Sequence, residues 1–188
     1  MIIELVGLPR AGKTSCLNKL MNSYSNLKSI KEDFSNNPYN RYLEIHKSNY
    51  WICEKILNDI KKITDSNITI MDRGVIDRIA WTNATFEFKL ITNSEKEKEL
   101  NLLKEDISKI NLAILFDISE EVSLNRAKPK SSNYLTRHKD FLKILRKNYL
   151  DLKTKYNLKI IDASKDSTKI YLELKKIIEL EIKKTQFE

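Results

Sequence analysis

The stretch Ile2–Thr14, IIELVGLPRAGKT, decides the fold of this 188-residue chain. Its first five residues, Ile2–Val6, are almost continuously apolar, which is typical of a parallel strand buried on both faces. The next eight, Gly7–Thr14, satisfy the pattern GxxxxGK[ST] in full, and a helical pattern follows at once. Two glycines let the backbone fold closely around an anion, and the helix N-terminus adds partial positive charge. This order of strand, loop and helix therefore predicts a phosphate-binding loop.

The loop defines a candidate nucleotide site. Lys13 is expected to reach the β- and γ-phosphates of a nucleoside triphosphate, and the Thr14 hydroxyl to ligate Mg²⁺. A glycine-containing turn without a ligand is the structural alternative. The motif indicates nucleotide binding but does not identify the reaction that follows. The expected ATP-binding residues are Gly7, Leu8, Pro9, Arg10, Ala11, Gly12, Lys13, Thr14, Ser15 and, from a later segment, Arg126.

The composition predicts a single domain over residues 1–188. Hydrophobic residues make up 41% of the chain and charged residues 32%, which is usual for a globular protein. The apolar runs are short and interrupted by charge, and the N-terminus lacks the features of an export signal. Cys16 and Cys53 have no metal-type spacing and are expected to be small buried hydrophobes in a reducing compartment. We therefore expect a cytoplasmic protein without a membrane partner.

The net charge of +8 is concentrated in one part of the chain. The stretch 126–159 holds eleven Lys or Arg residues and two Asp, a net charge of +9, so the remainder is close to neutral. A phosphate-facing segment and a nucleic-acid surface both fit this distribution, as does a solvated lysine-rich surface.

Short apolar runs alternate with helical patterns along the chain. The predicted strands are Ile2–Val6, Leu27–Lys31, Ile68–Asp72, Leu112–Asp117 and Leu158–Asp162. Helices are expected over about Thr14–Tyr24, Tyr39–Ile63, Ile76–Leu90, from Ser94 (with Ser94 and Glu97 as a capping box), after Ser119 to near Arg126, over Phe141–Tyr156, and from Ser167. Alternating strands and helices predict right-handed crossovers and an α/β fold of three α/β/α layers around a five-stranded parallel sheet.

A second motif follows the third predicted strand. Asp72 and Arg73 stand at its carboxyl end, where ligands bind in such sheets. Asp72 could hold Mg²⁺ or take a proton from an acceptor hydroxyl, and Arg73 could grip an acceptor phosphate. The alternative is a strand-end Asp that caps the next helix with an Arg paired to it. For Asp77 and Arg78, structural pairing and function are both consistent with the sequence.

The segment 127–137, bracketed by Arg126 and Arg137, is polar and basic. In a phosphotransferase, a short lid at this position would close over the phosphates, exclude water and supply positive charge. A surface loop without a function is the alternative.

Together these motifs resemble the thymidylate kinase and deoxynucleoside kinase branch of the P-loop NTPase fold. The likeness is clearest at GLPRAGKT (7–14), DRGVIDRIAWT (72–82), LAILFDISEEVSLNR (112–126), FLKILRKNYLDL (141–152) and LKIIDAS (158–164). Some thymidylate kinases carry an arginine inside the P-loop and few in the lid. This resemblance implies that Arg10 is the transition-state arginine, with Lys13, Asp72, Arg73 and Arg126 completing the catalytic set. Relatives commonly pair through helices, so a homodimer through the second or third long helix is also implied.

The chain departs from the family pattern around the acceptor. Pro9 replaces the acidic P-loop residue of thymidylate kinases, Gly74 replaces an aromatic residue, and Lys31–Phe34 replaces an Arg-Glu-Pro segment. The catalytic frame therefore carries over, whereas the identity of the acceptor does not.

Aromatic and cationic residues supply a candidate acceptor pocket, because a nucleobase stacks on aromatic faces and a phosphate requires a cation. For Trp51, core packing is the better-supported alternative because it lies beside a helical stripe. The acceptor-binding residues expected are Phe34, Tyr39, Arg41, Trp51, Arg73 and Arg78, and the metal ligands expected are Thr14 and Asp72.

The leading hypothesis is an ATP- and Mg²⁺-dependent phosphotransferase acting on a nucleoside or nucleoside monophosphate. The alternatives are a P-loop kinase of another small molecule or of a 5′-hydroxyl nucleic-acid end, and an ATP-binding regulatory module without turnover. A GTPase is disfavoured because no Asn-Lys-x-Asp base-recognition motif follows the fourth predicted strand.

Overall fold

A five-stranded parallel sheet forms the centre of the molecule. The computed structural model describes residues 1–40, 43–64, 68–127, 135–156 and 158–185. The strands are β1 (Ile2–Val6), β2 (Leu27–Lys31), β3 (Ile68–Asp72), β4 (Leu112–Asp117) and β5 (Lys159–Asp162), in the spatial order β2-β3-β1-β4-β5. Every pairing is parallel, so all carboxyl ends meet at one edge. This confirms the predicted sheet, with β5 beginning one residue later than expected.

The helices cover both faces of the sheet. Their bounds are α1 (Lys13–Ser23), α2 (Ile45–Lys61), α3 (Val75–Glu87), α4 (Asn93–Leu103), α5 (Glu120–Asn125), α6 (Lys139–Tyr156) and α7 (Ser167–Thr185). Helix α1 packs with α7 on one face, and α3 packs with α6 and α4 on the other. The three-layer α/β/α fold is therefore confirmed. No helix in the described parts of the chain has the length and apolar character that a bilayer crossing requires.

The central strands are apolar because both of their faces are covered. Every residue of β1 is buried, and the buried side chains of β4 and α6 join the same core. On α6 the predicted stripe of Phe141, Leu145, Tyr149 and Leu152 is buried as expected. Burial of this apolar area is the main force that holds the helices on the sheet.

Helix α2 begins at Ile45, six residues later than predicted. The residues before it form side-chain-to-backbone turns: Ser35 N donates to Asp33 Oδ1 at 3.0 Å, and Tyr39 N donates to Asn37 Oδ1 at 3.0 Å. Such local hydrogen bonds compete with helix formation. The helical periodicity of the sequence therefore extends beyond the start of the helix into this turn-forming segment.

The capping box of α4 was predicted at Ser94 and Glu97, and that prediction was wrong. Thr92 is the N-cap: its side chain accepts a hydrogen bond from Glu95 N, and Thr92 N donates to the Glu95 carboxylate at 2.7 Å. Both pairs satisfy the same sequence pattern, two residues apart. The helix begins at the earlier one.

Candidate active site

The loop between β1 and α1 has the backbone geometry of an anion cradle. Gly7 has a φ of 134°, and a Cβ there would lie 2.5 Å from the Phe116 carbonyl oxygen, so the position requires glycine. Gly12, at a φ of 95°, precedes the first residue of α1. Arg10 has a φ of 64°, a left-handed conformation that costs a non-glycine residue free energy and is concentrated at functional sites.

The side chain of Lys13 lies inside this loop. It is buried, and its Nζ donates hydrogen bonds to the carbonyl oxygens of Gly7 at 2.8 Å and Leu8 at 2.9 Å. Burial, reinforced by the positive charge of Arg73, lowers the pKa of Lys13 to about 7. An anion in the cradle would offset both effects, so the site favours a polyphosphate.

Thr14 and Asp72 bring the second motif to the loop. The strands β1 and β3 are neighbours, with Leu5 opposite Asp72, so the end of β3 lies beside the start of α1. The Thr14 hydroxyl donates a hydrogen bond to Asp72 Oδ2. A hydroxyl and a carboxylate are the hard oxygen ligands that Mg²⁺ prefers. The donor set therefore fits Mg²⁺.

Arg73 is the centre of a charged network beside the loop. Its Nε lies 2.9 Å from Glu32 Oε2, and its Nη1 donates to the carboxylate oxygens of Asp77 at 2.8 and 3.0 Å. The hydroxyl of Tyr149, from α6, donates to Asp77 at 2.6 Å. Burial by itself would lower the pKa of Arg73, but Asp77 and Glu32 raise it well above its ordinary value. The guanidinium is therefore held fixed and charged.

Two further arginines lie at the mouth of the loop. Arg10 Nη1 donates to the Thr136 carbonyl oxygen at 2.8 Å, which joins the loop to the 3₁₀ turn Leu135–Arg137. Arg126 Nη1 donates to the carbonyl oxygens of Arg10 at 3.3 Å and Ala163 at 3.0 Å. Most of the predicted lid, residues 128–134, lies outside the described residues.

These side chains line two neighbouring cavities. The first has a volume of about 400 Å³ and is called the phosphate cavity here. The second, of about 350 Å³, is called the acceptor cleft. Three residues line both: Pro9, Glu32 and Arg73. The phosphate cavity is lined in addition by Arg10, Gly12, Lys13, Thr14, Ser15, Asp72 and Arg126.

The structure brings part of the predicted acceptor set together. Phe34, Arg73 and Arg78 line the acceptor cleft. Trp51 does not: it lines a separate cavity with residues such as Lys55 and Leu102, and it packs against the core. This position corrects the expectation for Trp51 and agrees with its core-packing alternative, because its place on α2 faces α4 rather than the cleft.

Tyr39 is not among the described residues that line the acceptor cleft. The Tyr39 ring lies beside Lys47, whose Nζ is 5.9 Å from the ring centroid. Arg41 lies outside the described residues.

Sequence reasoning missed several residues of the site. Glu4, in the middle of β1, is fully buried, and its carboxylate accepts hydrogen bonds from Ile76 N at 3.0 Å and Asp77 N at 2.8 Å. A charged residue inside an otherwise apolar strand was the available signal. The sequence contains no such signal for Tyr149, because its position in the apolar stripe of α6 is that of a core residue. Asn49 likewise lines the acceptor cleft from a polar position on α2.

Sequence comparison finds similar proteins along most of the chain. A thymidylate kinase of Mycoplasmoides gallisepticum is 28% identical over 207 residues, covering 97% of this chain and 96% of that protein. A probable thymidylate kinase 1 of Saccharolobus solfataricus is 29% identical over 123 residues, 65% of this chain, and the match spans 60% of that protein's length. No protein-family model matches the chain.

Comparison of structures finds the same fold. Deoxyadenosine kinase from M. mycoides with bound dATP superposes with a TM-score of 0.78 at 18% identity, covering 94% of this chain and 99% of that one. Thymidylate kinase from Candida albicans superposes with a TM-score of 0.69 at 20% identity, covering 96% and 91%. The resemblance stated from the motifs is confirmed: the sequence relatives are named thymidylate kinases, and the solved structures share the fold.

Proposed function

We propose that the protein is a kinase that transfers the γ-phosphoryl group of ATP to the 5′ end of a nucleoside or nucleoside monophosphate. The observation that carries this proposal is that Pro9, Glu32 and Arg73 line both the phosphate cavity and the acceptor cleft, and these three residues are called the junction here. A donor and an acceptor held in these two spaces would have their reacting groups at that junction, which is the positioning on which phosphoryl transfer depends.

The loop between β1 and α1 would bind the phosphate donor, ATP. Its backbone N–H groups and Lys13 bind the β- and γ-phosphates, and Lys13 exchanges its contacts with Gly7 and Leu8 for phosphate oxygens. Arg10 lines the phosphate cavity on a strained backbone and supplies positive charge as the γ-phosphoryl group moves. Arg126 fixes the carbonyl of Arg10 to the loop after β5, so we assign it to holding this arginine in position.

Thr14 and Asp72 would hold Mg²⁺. When bound, the ion would neutralise charge on the β- and γ-phosphates. Among the described residues no group of three or more acidic, His or Cys side chains that could hold a metal ion occurs. Mg²⁺ in kinase sites usually completes its coordination with water and phosphate oxygens.

Arg73 and Glu32 would contact the reacting end of the acceptor. Arg73 is held by Asp77 and Tyr149, so its charge is presented at the junction in one orientation. Glu32 lines both cavities and is partly exposed, with 38% of its side chain accessible. For a nucleoside acceptor, its carboxylate would take the proton of the attacking hydroxyl.

The test is release of ADP by the purified protein with ATP, Mg²⁺ and a panel of nucleosides and nucleoside monophosphates. We expect acceptor-stimulated release in the wild type, and a fall of about 10²-fold or more in Asp72→Asn with ATP binding retained. Lys62→Gln, on the surface far from the loop, is the control. If no nucleoside or nucleoside monophosphate stimulates ADP release in a folded protein that binds ATP, the proposed function fails, and a kinase of another acceptor or a regulatory module remains.

The basic stretch 126–159 gives the nucleic-acid alternative little support. Several of its cations are paired: Lys139 lies 2.8 Å from Glu121, Arg146 2.7 Å from Asp117, and Lys147 3.2 Å from Glu87. Paired cations release fewer counterions on binding phosphates. We therefore expect weak oligonucleotide binding; affinity that falls steeply with added salt would favour a nucleic-acid acceptor instead.

A further inference from the structure

The acceptor cleft contains buried hydrogen-bond donors without partners. Arg78 is 6% exposed, and neither its Nε nor its Nη2 has a hydrogen-bond partner in the described parts of the chain. The Nδ2 of Asn49, a residue that is 7% exposed, also has no hydrogen-bond partner among the described residues. Both residues line the cleft. Three donor atoms from two elements, α2 and α3, therefore have no acceptor there.

Such atoms are costly unless a ligand satisfies them. A buried polar group without a partner loses its hydration and gains nothing in return, and the loss is larger for a charged group. The guanidinium of Arg78 lies 5.6 Å from the ring centroid of Trp81, which favours the cation but accepts no ordinary hydrogen bond from its edge. The free donors therefore indicate a ligand that brings lone pairs.

The two free atoms of Arg78 define the shape of that ligand. Nε–H and the adjacent Nη2–H project in parallel from one edge of the planar guanidinium. This edge matches two neighbouring acceptor atoms in one plane. Arg78 can only donate, so the requirement does not depend on how the Asn49 amide is oriented.

The position of Arg78 decides which part of the acceptor it meets. Arg73 lines both cavities, whereas Arg78 lines the acceptor cleft and not the phosphate cavity. With the 5′ end at the junction, the base lies in the distal part of the cleft. Phe34 and Trp81 also line the cleft and offer aromatic faces.

We infer that Arg78, supported by Asn49, selects an acceptor whose base presents two adjacent hydrogen-bond acceptors in its plane. Cytosine does so with N3 and O2, and guanine with N7 and O6. Thymine and uracil place an N–H between their two carbonyls, and adenine sets its amino group beside each ring nitrogen of its two hydrogen-bonding edges. The inference rests on the proposed function and adds the substrate class, with Arg78 as the specificity-determining residue.

The test measures kcat/KM for the deoxynucleosides of cytosine, guanine, thymine and adenine and for their monophosphates. It compares the wild type with Arg78→Met. One bidentate pair discriminates by about 10- to 100-fold. We expect cytosine or guanine compounds to be preferred by that factor, and the preference to disappear in Arg78→Met. Arg78→Lys, which keeps the charge but not the planar edge, should lose it as well. Arg146→Met, at a paired surface arginine, should keep it.

Binding measurements separate this inference from the proposed function. Ligand-induced thermal shifts need no turnover. Even if no compound stimulates ADP release, a cytosine or guanine compound that stabilises the wild type but not Arg78→Lys supports the inference. Three results would overturn the inference. The first is an equal thermal shift with all four bases, and the second is an unchanged base preference in Arg78→Met and Arg78→Lys. The third is an Arg78-dependent shift with inorganic phosphate alone.

Discussion

Glu4 lies directly against Gly74: a Cβ built on Gly74 would be 2.9 Å from the Glu4 Cδ. The carboxylate of Glu4 then continues to the first turn of α3, where Ile76 N and Asp77 N donate to it. A buried acid in the central strand thus holds the N-terminus of the helix that carries Asp77 and Arg78. This contact leaves no room for a Cβ at position 74 unless the Glu4 side chain shifts.

The first prediction follows from this close approach. Gly74→Ala should lower the free energy of unfolding by about 1–3 kcal/mol, because the added methyl group overpacks a site occupied by the Glu4 side chain. Chemical denaturation measures the loss. The loss should be smaller in a Glu4→Ala background, because shortening the side chain makes room.

Gly12→Ala is the matched control for that cycle. Its cost, about 1–2 kcal/mol, arises from a φ of 95° with open space around the position, so Glu4→Ala should leave it unchanged. Equal costs of Gly74→Ala in both backgrounds would contradict the contact.

The second prediction concerns pH and Glu4. Burial raises the pKa of Glu4 to about 8, although the N–H groups of Asp77 and Ile76 oppose the rise. The unfolded carboxyl ionises near its ordinary value of 4.5 and the folded one only near 8. The wild type should therefore lose stability relative to Glu4→Gln as pH rises from about 5 to 8, with no further change above that. Denaturation midpoints across this range test it; a constant difference would show that Glu4 is ionised throughout.

The third prediction concerns Lys13. Its pKa of about 7 should rise when a polyphosphate anion replaces the carbonyl contacts. ATP binding at pH 8 should therefore take up a proton, while binding at pH 6 should not. Calorimetry at pH 8 in two buffers of different ionisation enthalpy measures the uptake. Lys13→Met should bind ATP more weakly and take up no proton. If the wild type gives the same binding enthalpy in both buffers, Lys13 is not neutral before ATP binds.

The fourth prediction separates the two arginines of the phosphate cavity. Arg10→Ala should lower kcat by about 10³-fold or more with little change in melting temperature, as expected for an arginine that acts on the moving phosphoryl group. Arg126→Ala should lower kcat less and melting temperature more, because Arg126 bonds backbone carbonyls of two loops. Steady-state kinetics and thermal melts of both variants distinguish the catalytic role from the structural one. If Arg126→Ala lowers kcat more and Arg10→Ala lowers the melting temperature more, the two assignments are reversed.

The extent of α2 and the position of Trp51 show where sequence reasoning reaches its limit. Helical spacing identified α2, but the turns at Asp33 and Asn37 displaced its start, and no local pattern indicates that Trp51 faces α4 rather than the cleft. Periodicity identifies a buried face of a helix; it does not identify the neighbour against which that face packs.

The sequence by itself determined the phosphate-binding loop, the five parallel strands and the three layers, because each depends on residues close together in the chain. Glycine spacing sets the loop, and short apolar runs set strands covered on both sides. Only the tertiary structure decided that Glu4 holds α3, that Tyr149 joins Asp77 and Arg73, and that Arg78 and Asn49 face one cleft with unpaired donors. These relationships join residues up to 76 positions apart, such as Arg73 and Tyr149, and arise when the sheet brings the ends of distant strands and helices to one edge.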